Sequence, residues 1–592
     1  MRSAARVINK SCSGSALSRR CLRKSSLSMS KRYLSTSNIG IRKGFNGQGR
    51  SSNKTMLFLA AGASAVAGIG LLSQFSDSLQ NATKEELNKP KVSPLEVAKH
   101  SSPDDCWVVI DGFVYNLTEF ISAHPGGPAI IENNAGKDVT AIFGPIHAPD
   151  VIEKYIAPEN RIGPLDGKMP DDLICAPLTP GETPEDVARK EELRQNMPDL
   201  DSLVNIYDFE FLASQILTKQ AWSYYSSAAD DEVTHRENHA AYHRIFFKPR
   251  ILVNVKEVDT STTMLGEKVG VPFYVSATAL CKLGNPKEGE KDIARGCGES
   301  DVKPIQMIST LASCSLQEIV EAAPSKDQIQ WFQLYVNSDR KITEDLIKNV
   351  EKLGLKAIFV TVDAPSLGNR EKDAKVKFTN KDSSAKAMEK SNVKESKGAS
   401  RALSTFIDPA LCWDDIVTLK SKTKLPIVIK GVQCVEDVLK AAEIGAAGVV
   451  LSNHGGRQLD FSRAPIEVLA ETMPILKEKK LDDKIEIFID GGVRRGTDIL
   501  KALCLGAKGV GLGRPFLYAN SCYGKEGVKK AIDLLKDELE MSMRLLGVTS
   551  IDQLSEKYLD LSTLHGRTVS VPRDNLYNGV YVPHEPTDFK EN

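Results

Sequence analysis

The stretch Gly448-Val-Val-Leu-Ser-Asn-His-Gly-Gly-Arg-Gln-Leu-Asp460 ends an apolar run on a glycine-rich turn. A run of four apolar or small residues that stops so abruptly reads as a buried parallel strand, and Gly455 and Gly456 let the backbone bend sharply beyond it. The bend carries His454 and Arg457, a proton acceptor beside a fixed cation that can grip a carboxylate through two hydrogen bonds. Alone, such a pair is more often a structural histidine near a surface arginine. The chain on either side changes that weighting.

Working outward, similar apolar runs recur at 271–276, 304–309, 329–336, 357–363, 426–431, 448–453, 486–491 and 509–513. Amphipathic stretches such as 315–323, 343–353 and 436–444 lie between them. Eight strand–helix units in one segment predict an α/β fold, a (β/α)8 barrel. Ser276, Ser309, Asp363, Lys430, Asn453 and Asp490 end their strands, so the barrel should gather them at its C-terminal mouth. The last two strands run into Asp490-Gly-Gly-Val-Arg-Arg-Gly496 and Gly511-Leu-Gly-Arg514. Two glycine-rich turns after strands seven and eight, each with an arginine, match the phosphate site that this barrel provides.

A smaller unit precedes the barrel. In residues 107–117 the pair Asp111-Gly112 separates two short apolar runs, which predicts a hairpin. His124-Pro-Gly-Gly127 and Phe143-Gly-Pro-Ile-His147 then place two histidines at the ends of apolar segments, with Gly126 and Gly127 permitting close approach of a flat ligand. Zinc suits the pair poorly, because no second pair of Cys or His ligands lies nearby. Residues 167–203, rich in proline, read as a linker or hinge with a short helix over 185–195.

The formal charge of zero is unevenly spread. Residues 1–80 hold 13 Lys and Arg and one acid, Asp77, so of the 77 basic and 77 acidic residues the rest of the chain keeps 64 and 76, roughly −12. The basic, Ser-rich leader reads as a mitochondrial transit peptide. Residues 56–72 are apolar and near the lower length limit of a membrane span. The favoured reading is a cleaved two-part presequence over 1–80, delivering a protein without a stable membrane anchor to the intermembrane space. An acidic mature surface suits a basic macromolecular partner and argues against nucleic acid. The 11 cysteines form no CxxC pair, and Cys281, Cys297 and Cys504 read as buried thiols.

Two resemblances sharpen this picture. Residues 88–166 resemble cytochrome b5, which implies that His124 and His147 ligate a b-type haem from opposite faces and leave its iron only electron transfer. Residues 204–575 resemble the FMN-dependent 2-hydroxy-acid oxidases, whose signature is the 452–460 segment. That resemblance implies His454 as the base, Asp363 as the carboxylate stabilising its imidazolium, and Tyr335 bonding the substrate hydroxyl. It implies Arg457, Tyr224 and Arg370 around the substrate carboxylate, and Ala279 and Leu311 beside the substrate side chain. For FMN it implies Ser276, Ala277, Thr278, Ala279, Ser309, Gln333, Thr361, Lys430, Asp490, Gly491, Gly492, Val493, Arg494, Gly513 and Arg514, with Lys430 near the flavin N1–C2 edge. The combination implies oxidation of L-lactate to pyruvate, cytochrome c as acceptor and a homotetramer. Mandelate or glycolate as substrate, or oxygen as acceptor, are the alternatives. Leu178 stands where a haem-carrying relative has a tyrosine that reaches a haem propionate. The Lys- and Ser-rich residues 372–400 read as an insertion without chemistry, and 576–592 as a C-terminal tail.

Overall fold

The computed structural model describes residues 89–124, 128–148, 150–175, 181–378 and 407–567. The expectations for the leader, the 56–72 segment, Gly126 and Gly127, Leu178, most of the 372–400 insertion and the tail lie outside the described residues. Among the described residues, no helix is long and apolar enough to cross a membrane.

The N-terminal module is a four-stranded antiparallel sheet of β1 (Ser101–Ser102), β2 (Asp105–Ile110), β3 (Phe113–Asn116) and β4 (Arg161–Pro164). Asp111 and Gly112, at φ 49° and 76°, make the two-residue turn between β2 and β3, as the Asp-Gly pair requires. The sequence reads 167–203 as linker, but its first residues pack on this module. Met169 is buried with Val97, Val109 and Val114. Asp138 N donates to Leu173 O and Cys175 N to Asp138 O. A periodicity argument misses this because a single strand-like bridge carries it. Thr183 then caps the helix Pro184–Gln195 through a reciprocal bond with Asp186.

The larger body is a closed barrel of eight parallel strands: β5 (Phe273–Val275), β6 (Ile305–Ser309), β7 (Gln330–Leu334), β8 (Ile358–Thr361), β9 (Ile427–Val432), β10 (Gly448–Leu451), β11 (Glu486–Asp490) and β12 (Gly509–Leu512). Each strand pairs with the next and β12 closes onto β5. Most of the strands are one or two residues shorter at an end than the apolar runs. Pro304 and Pro426 have no N–H to donate to a ladder, which moves two of the starts inward.

Inside the barrel the two-residue period of the strands builds two layers. Tyr274, Met307, Trp331, Phe359, Val428, Val450 and Phe488 belong to one buried cluster. Trp331 lies 5.2 Å from Tyr274, 4.7 Å from Phe359 and 5.6 Å from Phe488, ring centre to ring centre. Two residues further along each of those strands come Ser276, Ser309, Gln333, Thr361, Lys430, Ser452 and Asp490. An aromatic floor thus closes the barrel below, and a ring of polar side chains lies directly above it. A fully buried aromatic in that floor contributes on the order of 3 kcal/mol.

Candidate active site

Above the floor lies a cleft enclosing about 1160 Å³, part of it open to solvent. Every barrel residue that sequence reasoning placed around substrate or FMN lines it, from Tyr224 on the helix Lys219–Ser226 to Arg514 at the start of the helix Arg514–Leu546. Asp363 is the exception, because its side chain has no solvent exposure and sits behind His454.

His454 occupies the left-handed region at φ 59°, unusual for a residue with a Cβ and common where a functional group must be aimed. Its Nδ1 lies 2.9 Å from Asp363 Oδ1, and its Nε2 lies 3.4 Å from the Tyr335 hydroxyl. Burial alone would raise the Asp363 pKa. His454 and Lys430 outweigh it and hold the carboxyl below its ordinary value, so it is ionised at neutral pH. Burial raises the Tyr335 phenol, so it remains a neutral O–H.

Two guanidinium groups face the same space. Arg457 donates through Nη1 to Tyr224 O and Ser227 O and stands 5.0 Å above the Tyr224 ring. Arg370 is 6% exposed, and burial and the Arg457 charge depress its pKa to about 10. Its Nε has no hydrogen-bond partner among the described residues. A buried and a half-buried guanidinium facing one space, with Arg370 Nε unused, suit a bound carboxylate.

Lys430 is buried yet stays charged. Its Nζ lies 3.1 Å from Asp490 Oδ2 and 3.2 Å from Ser452 Oγ, and Asp490 and Asp363 outweigh the desolvation of its ammonium. At the other end of the cleft, Gly491 and Gly492 take φ 99° and 80°, and a Cβ on Gly492 would lie 2.1 Å from Asn238 O. Glycine is therefore required for the turn between Arg494 and the helix Val233–His243. Arg514 donates to Tyr225 O, Gly455 O and Ser227 O, which fixes its guanidinium beside that turn. Ser276 Oγ and Asp490 Oδ1 are buried in the cleft without partners among the described residues. Such groups fit a ligand with hydroxyls at its middle and a phosphate at one end.

Several contributors escaped sequence reasoning. Ser452 Oγ accepts from both Lys430 Nζ and His454 N, and Gln458 Nε2 donates to Asp363 O and Ser366 O. Both lie within the stretch that first drew notice, so their polarity beside a buried strand was the available signal. Asn238 and Asn453 exchange two amide bonds of 2.7 Å that anchor the turn from behind. His235, kept neutral by burial and the neighbouring Arg514 and Arg494, also lines the cleft. The i, i+3 spacing of His235 and Asn238 on one helix was the signal there.

In the small module the His124 and His147 rings stand 6.1 Å apart. That separation is compatible with one metal ion between two imidazoles at about 2 Å from each. His147 Nδ1 lies 3.2 Å from Phe143 O, so that nitrogen carries the proton and the other is left for a metal. Burial lowers its pKa to about 4, which favours the neutral ligand form.

The family profile of the FMN-dependent dehydrogenases matches residues 213–561, and that of the cytochrome b5-like haem/steroid binding domain matches residues 93–166. The chain belongs to the FMN-dependent dehydrogenase family, and it carries a haem-binding module in front. Among its relatives, an L-lactate dehydrogenase (cytochrome) of Saccharomyces cerevisiae is 66% identical over 99% of this chain and 98% of its own length. A protein of the same name from Wickerhamomyces anomalus is 56% identical over 92% of each chain. Among solved structures, a flavocytochrome b2 double mutant with pyruvate bound is 72% identical. It covers 70% of this chain and 100% of its own, with a TM-score of 0.62. FMN and haem b are the two cofactors that these domains bind.

Proposed function

We infer that this member of the family is an L-lactate dehydrogenase of the cytochrome type, oxidising L-lactate to pyruvate and delivering electrons to cytochrome c. The observation that carries the reading is the His454–Asp363 pair facing the Arg370 and Arg457 guanidinium groups of one cleft, in a chain 66% identical over nearly its full length to such an enzyme.

When bound, FMN accepts two electrons from the hydroxy acid and haem b carries them onward singly. The chain's own residues prepare the substrate. Arg457 and Arg370 hold the carboxylate, with Tyr224 stacked beneath Arg457. Tyr335 donates its O–H toward the substrate hydroxyl oxygen. His454 Nε2 takes the substrate proton, and ionised Asp363 stabilises the imidazolium through Nδ1. Ala279 and Leu311 face the substrate's C3 and leave room for little beyond a methyl group. Lys430 would supply positive charge beside the flavin's N1–C2 edge. The glycine turn at 490–494, with Gly513 and Arg514, would hold the phosphate, and Ser276, Ala277, Thr278, Ala279, Ser309, Gln333 and Thr361 would hold the rest of FMN. His124 and His147 would hold the haem iron.

Cleavage of a presequence over residues 1–80 and residence in the mitochondrial intermembrane space complete the proposal, supported by 13 basic residues against one acid in that leader. A homotetramer is proposed on the resemblance to the oxidase family. In support, Phe246, Ile251, Leu252 and Leu545 are exposed, and a bond from Arg250 N to Leu546 O ties their two segments together.

Anaerobic addition of L-lactate tests the reading. Bleaching of the flavin band and reduction of a b-type haem are expected, followed by cytochrome c reduction without oxygen. A flavin that stays oxidised would overturn it.

A further inference from the structure

Glu290 is the first residue of the helix Glu290–Glu299, which leads into strand β6, and it is 3% exposed. A carboxylate at the first position of a helix ordinarily serves its own N–H groups or their dipole. Here the four donors it accepts from all belong to two loops elsewhere. Oε1 accepts from Cys281 N at 3.0 Å and Ser313 N at 2.9 Å, while Oε2 accepts from Ser313 Oγ at 2.8 Å and Cys314 N at 3.1 Å. Ser313 Oγ in turn accepts from Lys282 N at 2.9 Å, a second strut between the same two loops. The brace is tied to the barrel wall, because Gln306 on β6 donates to Glu290 O at 3.2 Å.

Cys281 lies two residues beyond Ala279, and Ser313 two beyond Leu311. Two residues span about 7 Å at most, so each brace point governs the side chain just before it. Ala279 and Leu311 both line the cleft, and Leu311 also packs with Tyr335, Ala364 and Ile407.

We propose that Glu290, with Ser313, is a positioning residue for substrate selectivity. By holding the Ala279 loop and the Leu311 loop at a fixed separation, it sets the width open to the side chain of the 2-hydroxy acid. The inference rests on the reading above that Ala279 and Leu311 face that side chain. Buried carboxylates that accept four bonds are rigid, since an unmet donor on either loop costs the full desolvation of an N–H. Relaxing the brace lets the two loops separate, and discrimination against longer side chains falls while the proton-transfer groups stay in place.

The test uses the holoenzyme variants Glu290→Gln, Ser313→Ala and Leu311→Ala. The measurement is kcat/KM for L-lactate and for a 2-hydroxy acid with a linear four-carbon side chain, with flavin content determined alongside. In Glu290→Gln the amide NH2 cannot accept, so the side that carries it loses its two bonds, either those from Cys281 N and Ser313 N or those from Ser313 Oγ and Cys314 N, and the brace is loosened. The ratio of kcat/KM for lactate over the longer acid should fall about tenfold, a change typical of small differences in an apolar pocket. Ser313→Ala should shift it in the same direction by less, and it decides the matter if Glu290→Gln does not fold. Parallel losses for both acids would reduce Glu290 to a structural brace and overturn the proposal. An unchanged ratio in Leu311→Ala would instead overturn the reading on which it rests.

Discussion

Asp363 gives one carboxylate oxygen to His454 Nδ1 at 2.9 Å, and its other oxygen is buried with no hydrogen-bond partner among the described residues. A fully buried carboxylate in that state is stabilised by its neighbours, here the ring N–H of His454 and the ammonium charge of Lys430. Its negative charge is therefore aimed at the ring it orients, and it becomes most favourable when that ring is protonated.

Asp363→Asn should lower lactate turnover by about 10²–10⁴-fold with flavin still bound, the range associated with a misoriented or unsupported general base. Steady-state kinetics check this, and a loss below tenfold would contradict the assigned role.

The same residue makes a prediction about acid stability. The folded carboxyl lies below its ordinary value of 3.8, so the unfolded chain takes up this proton first as pH falls. The stabilisation is fully present above about 3.8 and disappears as pH falls through the folded value. Denaturation monitored across that window should show a shallower acid slope for Asp363→Asn than for the unsubstituted protein.

His454→Gln should abolish lactate oxidation and leave the haem spectrum unchanged, because His454, the proposed base, and the His124–His147 pair lie on separate modules. Retained turnover would remove His454 from the role of base.

Gly492→Ala is expected to weaken FMN binding and to cost roughly 1–3 kcal/mol of stability, since a Cβ at positive φ would press on Asn238 O. Flavin fluorescence on dilution and a thermal melt read the two effects separately.

Cytochrome c reduction should slow as salt rises. The chain beyond residue 80 carries roughly −12, and a docking field of that kind is screened over about 10 Å at 0.1 M ionic strength. A rate independent of salt would argue against electrostatic steering.

Much of this was legible in the sequence because it is written in short periods. All eight barrel strands follow from apolar runs, and the Asp111-Gly112 turn follows from its two residues. The positions around His454 and Arg494 follow from glycines placed where side chains cannot go. What was not legible depends on distant pairing. Nothing local marks Glu290 as serving Cys281 and Ser313, or Asn238 as the partner of Asn453, 215 residues away. The packing of Met169 and Cys175 on the small module was hidden for another reason. A proline-rich stretch resembles a linker whether or not single residues within it find a surface.

The alternation of aromatic floor and polar ring within each strand has a consequence for how the molecule holds a ligand. Strand β12 contributes Gly509 and Gly511 in place of side chains, and Gly511 faces both Tyr274 and Ser276 across the seam where the last strand meets the first. Until β12 docks on β5, the floor has a gap and the polar ring is incomplete. A ligand seated on that ring is therefore gripped on every side only once the seam has closed.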